Sequence, residues 1–194
     1  MPAATTPVQA RVSYGTRARL AEHLAAEKNA RRALIAERFP VDPEAPAAQR
    51  ARVRAEARAY LQGMRQRGEL CDSVDVLMMH AVRAELGERG WDHPWPPPPP
   101  TAPHSGRWPG SLDGAWPEVI PIRLPAELAE RLQAACANVS MPAIVEIRAL
   151  RDANPGPITP ADGVLWERYQ ALAAKVITPG DVLRAAVARA LPHD

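Results

Sequence analysis

The 194-residue sequence predicts a mainly α fold with a short two-stranded antiparallel β-ribbon, built from two duplicated units related by a pseudo-twofold axis. Three observations predict it. The last helical stretch, "TPGDVLRAAVARAL" (178–191), nearly repeats "DSVDVLMMHAVRAEL" (72–86). Further forward, "ARLAEHLAAE" (18–27) lies over "AELAERLQAA" (126–135) at a separation of 108, with six of ten positions identical. Just before each of these, "RVSYGTR" (11–17) and "VIPIRLP" (119–125) alternate apolar and polar residues. Alternation so brief, ended by a turn into a helix, reads as one short strand. Its recurrence with the helices at near-constant spacing reads as an internal duplication.

Taken in order, residues 1–10 are expected to be a disordered N-terminus, and residues 11–90 the first unit. Its strand covers 12–16, with Val12, Tyr14 and Thr16 facing the core. A helix follows, then a further one near 47–67, and a final helix capped by Asp72 with an acid three positions on, Asp75. That spacing marks a helix start. The second unit, 118–194, turns Ile120, Ile122 and Leu124 inward and enters a helix at Ala126. An extra helix is expected over 142–154 or 161–176, and the final helix is capped by Thr178 with Asp181 three positions later. The caps stand 106 residues apart and the tails 105, which demands a one-residue slip inside the helix. A lone strand leaves its N–H and C=O groups without partners, so the two strands are expected to pair antiparallel beneath a cover of helices. Arg11, Ser13, Gly15 and Arg17 then point outward from one strand, and Val119, Pro121 and Arg123 from the other.

Between the units lies "WDHPWPPPPPTAPHSGRWPGSLDGAWP", residues 91–117, too rich in Pro and Gly for a regular element. Five consecutive prolines, Pro96 to Pro100, favour an extended polyproline II spacer. Trp91, Trp95, Trp108 and Trp116 are unusual in a free linker and predict that it is pinned against the helical body.

Composition limits the function. The net charge is only +2, yet residues 11–67 carry twelve arginines and one lysine against six acids. Residues 96–194 hold nine basic and ten acidic groups, so the basic excess belongs to the first unit. Such an excess is either a solvated helix face or a nucleic-acid footprint. No apolar run is long enough to span a bilayer, and the N-terminal stretch lacks a charged-then-apolar signal, which gives a cytoplasmic expectation. Cys71 and Cys136, far apart in helical patterns, read as reduced thiols. No metal-ligand spacing, Gly-rich phosphate loop or nucleophile elbow is present. Neither a catalytic residue nor a metal or cofactor is therefore expected, and an enzyme is the least supported class.

Residues 120–150, "IPIRLPAELAERLQAACANVSMPAIVEIRAL", resemble the ribbon-helix-helix (MetJ/Arc-type) DNA-binding family. The resemblance rests on alternating "IPIRLP", on "AEL" and "RL" opening the first helix, and on a turn near "NVS" before a second helix. It implies that the ribbon enters the major groove of double-stranded DNA and that outward strand residues read base edges. It also implies that the second helix holds a phosphate at its N-terminus. Carried over by position, Arg123 matches the outward strand arginine and Ser140 the phosphate-holding helix start. In the first unit Gly15 stands where Arg123 stands in the second, and Pro121 departs from the pattern because proline removes a donor.

A second parse takes "LWERYQALAAKVITPGDVLRAAVARAL" (165–191) as the two helices, with Thr178 at the phosphate and Asp72 as its counterpart; the sequence allows both. Two units in one chain are similar to the tandem single-chain form found in conjugative-transfer accessory proteins. The implied role is repression or nucleoprotein assembly on plasmid or phage DNA, by a pseudo-dimeric monomer open to further association and to protein partners. The implied DNA-binding residues are Arg11, Ser13, Gly15, Arg17, Pro121, Arg123, Ser140 and Thr178. The alternative is a non-catalytic helical interaction or assembly scaffold that does not bind DNA.

Overall fold

A computed structural model describes residues 4–103, 108–110 and 116–191. The chain is mainly helical with one two-stranded antiparallel sheet. Strand β1 (Thr5–Val12) leads into α1 (Thr16–Arg38), α2 (Ala47–Gln66) and α3 (Val74–Glu88). Strand β2 (Glu118–Pro125) leads into α4 (Ala126–Ala153), a single 3-10 turn at Pro160–Asp162, α5 (Val164–Ala173) and α6 (Pro179–Ala190). A strand followed by three α-helices therefore occurs twice among the described residues.

β2 lies where the alternation puts it, with Ile120, Ile122 and Leu124 buried. β1 does not. It pairs as Val8↔Ile122, Ala10↔Ile120 and Val12↔Glu118, so it spans 5–12 rather than 12–16, and residues 5–10 are paired rather than disordered. Tyr14 is 88% exposed, and Thr16 is buried as the first residue of α1 instead of lying in a strand. The cause is a turn at Ser13–Gly15 that has no counterpart after β2, which runs straight into α4. Gly15 sits in the left-handed region at φ +85°, conformational space that only glycine enters without strain. The inward set is Val8, Ala10 and Val12, an alternation present in "TTPVQARV".

The ribbon packs against α3, α6 and α4, and α4 buries Leu128, Leu132, Ala135, Cys136, Ile144 and Ile147. α4 continues through "NVS" and through Pro142, which corrects the expected turn there. An interior proline costs about 3 kcal/mol, whereas each fully buried Ile contributes roughly 1.5–3 kcal/mol. Ile144 and Ile147, both 0% exposed, lie beyond Pro142, so packing keeps the helix continuous.

α3 and α6 pack on each other. The cap of α3 is Ser73, whose hydroxyl accepts from the Val76 N–H at 3.3 Å, and not Asp72. Asp72 instead accepts from Nε and Nη2 of Arg65 at 3.0 and 2.8 Å. With the cap at Ser73, 105 residues before Thr178, the one-residue slip disappears. At that same separation the buried Leu77, Met78, Ala81, Val82 and Leu86 fall on the buried Val182, Leu183, Ala186, Val187 and Leu191.

The described parts of the proline-rich segment, 91–103, 108–110 and 116–117, are bound to the body as expected; its other residues lie outside the described ones. Trp91 and Trp108 are buried, and Trp95 and Trp116 half-buried. Prolines offer carbonyls but no N–H, so α4 supplies the donors. Asn138 Nδ2 donates to Pro96 O at 3.0 Å, Gln133 Nε2 to Pro103 O at 2.9 Å, and Arg148 Nη2 to Thr101 O at 3.0 Å.

Candidate nucleic-acid interface

Opposite the core, the ribbon presents Thr5, Pro7, Gln9 and Arg11 from β1 and Val119, Pro121, Arg123 and Pro125 from β2. The main-chain N–H of Arg123 points away from β1 and donates to Asp75 Oδ1 at 2.8 Å. Antiparallel pairs alternate between hydrogen-bonded and non-bonded positions, so every outward pair, Arg123↔Pro7 among them, is non-bonded. Pro7, Pro121 and Pro125 all stand at such positions. The missing donor at Pro121 therefore costs the ladder nothing.

The register gives Arg123 a counterpart that the sequence assigned wrongly. Gln9 pairs with Pro121; Arg11 lies two residues beyond Gln9, and Arg123 two beyond Pro121 on the opposite strand. Both arginines are exposed. At about 3.3 Å per residue they stand roughly 13 Å apart along the ribbon. Terminal helices hold the main chain at both points. Asp75 in the first turn of α3 fixes Arg123, while Nη1 of Arg184 on α6 donates to Arg11 O at 3.4 Å. Arg184 is itself held by Asp181 and by the Trp116 ring, 4.5 Å from its guanidinium carbon.

The other expected residues are employed elsewhere. Ser13 lies in the turn, its hydroxyl 3.0 Å from that of Thr16. Gly15 and Arg17 belong to the start of α1, where their N–H groups donate to Glu118 Oε1 and Oε2 at 3.0 and 2.9 Å. Those two bonds, Arg17 first and Gly15 next, hold the Glu118 carboxyl below its usual range. A side-chain anion thus occupies the N-terminus of α1, which leaves no phosphate site there.

Ser140 is fully buried in the middle of α4, where its hydroxyl donates to Ile177 O and accepts from Ile177 N at 3.0 and 2.9 Å. It starts no helix. Thr178 does cap α6, in a reciprocal box: its hydroxyl accepts from Asp181 N at 3.2 Å, and its own N–H donates to Asp181 Oδ2 at 2.8 Å. Of the eight residues implied by the resemblance, the ribbon's outer face gathers Arg11, Pro121 and Arg123.

Sequence reasoning missed Gln9 and Pro7 because it began the strand at Val12, although Thr6, Val8, Ala10 and Val12 already alternate. It also missed Asp75 and Glu118 as main-chain acceptors. No sequence signal finds those, because each bond joins segments 48 or more residues apart.

Among the described residues no cluster of three or more His, Cys, Asp or Glu is arranged to hold a metal ion. Burial pushes the Cys136 thiol up to about 12, which keeps it protonated and inert. No described helix is long and apolar enough to cross a membrane. No family model, curated protein or solved structure matches the chain.

Proposed function

We infer that the chain is a ribbon-helix-helix-like pseudo-dimer in a single polypeptide that binds double-stranded DNA with the outward face of its ribbon. Its role on this reading is repression or the assembly of a nucleoprotein complex, including one for DNA transfer. The observation that supports it most is the placement of Arg11 and Arg123, exposed, equally displaced from the Gln9–Pro121 pair and on the same face. A two-stranded ribbon fits the major groove, about 12 Å wide, and a forked guanidinium spans the two acceptors of a guanine edge. A separation of roughly 13 Å along the ribbon puts the two guanidiniums over different base pairs of one groove. Repetition of the strand-and-three-helices order, and of the buried positions of α3 in α6, supports duplication with pseudo-twofold symmetry.

One observation favours the scaffold reading instead: α1 beyond Leu20 and all of α2 bury no side chain. A gel-shift titration with random duplex across a salt series separates the two. DNA binding through cations weakens steeply as salt rises, whereas a scaffold shows no duplex binding to lose.

A further inference from the structure

The arm formed by α1, the loop after it and α2 is the part of the molecule least accounted for by the core. α1 buries only Thr16 and Leu20, and α2 buries nothing. Its counterpart in chain order, α4, buries eleven residues. The large apolar side chains of α2 are Val53, Tyr60, Leu61 and Met64, all half-buried, with Tyr60 packed on the Phe39 ring at 5.6 Å. On the rest of the arm only Leu34 and Val41, 38% and 39% exposed, are large exposed hydrophobics, too few for a membrane face or a helical seam with a second copy. The arm offers charge instead.

Lys28, Arg31 and Arg32 are spaced to share one face of α1, and Arg50, Arg54 and Arg58 recur every fourth residue on one face of α2. Among the described residues no acid pairs with any of these six, in contrast to Arg52, Arg65 and Arg67, which are tied to Glu56, Asp72 and Glu69. Among the described residues Arg50 and Arg58 donate only to carbonyls, of Pro43 and Arg54. Cations left without acids on a helical arm that buries almost no side chain match a polyanion.

We propose that the α1–α2 arm grips the phosphate backbone of duplex DNA through these two cationic faces, beyond the segment read by the ribbon and on one flank only. This rests on the DNA-binding reading and deepens it. The ribbon selects the sequence, and the arm adds sequence-independent affinity and makes the footprint lopsided.

The test uses the full chain with duplex DNA of random sequence and a preferred duplex selected from it. Two triple variants are compared with wild type: Lys28, Arg31 and Arg32 to Gln, and Arg50, Arg54 and Arg58 to Gln. Each is expected to bind both duplexes more weakly by the same factor and to keep the ratio between them. The slope of log affinity against log salt should fall by up to about 3 in each. Hydroxyl-radical protection should shorten on one flank. Variants carrying Lys at the five arginine positions should restore the slope, and circular dichroism should show unchanged helix content.

An unchanged slope in both Gln variants overturns the arm proposal while leaving the ribbon reading intact if site preference persists. Wild-type binding that is indifferent to sequence but collapses in the Gln variants keeps the arm and sinks the ribbon. Loss of self-association in sedimentation, without loss of DNA affinity, makes the arm an interface between copies and overturns the proposal. Absence of wild-type binding to either duplex overturns both.

Discussion

Arg11 on β1 and Arg123 on β2 occupy equivalent places, each two residues beyond the central Gln9–Pro121 pair and each on the face opposite the core. The equivalence follows from the Ser13–Gly15 turn, which shifts β1 four residues toward the N-terminus relative to its alignment with β2. Neither arginine is placed by its own side chain. A helix from each half reaches across to the other half's strand, Asp75 to the Arg123 amide and Arg184 to the Arg11 carbonyl. The outer face therefore inherits its geometry from the α3–α6 pair.

The Glu118 carboxylate predicts an acid-sensitive link between the strands and α1. Bonds from Arg17 N and Gly15 N stabilise its charged form, so its folded value lies below the unfolded one. The stabilisation is complete above the unfolded value, about 4.3, and disappears as pH falls through the lower folded value. Urea midpoints measured from neutral pH into that acidic window should decline less in Glu118→Gln than in wild type. Parallel declines would show that these bonds carry no pH-linked stability.

Ser140→Ala separates a structural serine from a phosphate-binding one. Its hydroxyl satisfies both the N–H and the C=O of Ile177 inside the core. Removal leaves two buried polar groups without partners, a cost of about 1–3 kcal/mol. Chemical denaturation should show that loss, and DNA affinity measured where the variant stays folded should not change. Weaker DNA binding with full stability would contradict this purely structural role.

The described parts of the proline-rich segment belong to the folded body. At Gly110, φ is +79°, and an added Cβ would meet Ile147 Cδ1 at 2.7 Å and Ala173 Cα at 3.2 Å. Gly110→Ala should cost roughly 1–3 kcal/mol through backbone strain and overpacking, read as a lower denaturation midpoint. A single protease cut between residues 91 and 117 should leave the two fragments associated on a sizing column, because both strands share one ladder. Separate folded fragments would mean two independent domains.

What was legible in the sequence was whatever local periodicity decides. Ile120, Ile122 and Leu124 alternate without interruption, and Thr178 with Asp181 forms a cap within four residues, so β2 and the start of α6 stand where these patterns put them. β1 departs from its expected span because Tyr14 and Thr16 extend the alternation by chance, and only Gly15, with its left-handed backbone, marks the end of the strand. Pro142 and "NVS" carry local break signals within α4, while the tertiary burial of Ile144 and Ile147 that overrides them has no local signature. For the candidate interface, Arg123 was legible and its partner was not. Strand register is settled by a pairing more than a hundred residues away.

Arg11→Ala and Arg123→Ala test the central claim most directly. Each is measured on a preferred duplex selected from a random pool and on random duplex, at one fixed salt concentration. Each should lose about 1–3 kcal/mol more on the preferred duplex than on random DNA. Repeated selection should show relaxed preference at two positions related by the symmetry of the site, one for each arginine. Equal losses on both duplexes would reduce the arginines to phosphate contacts, and no loss on either would remove the ribbon from the DNA-binding surface.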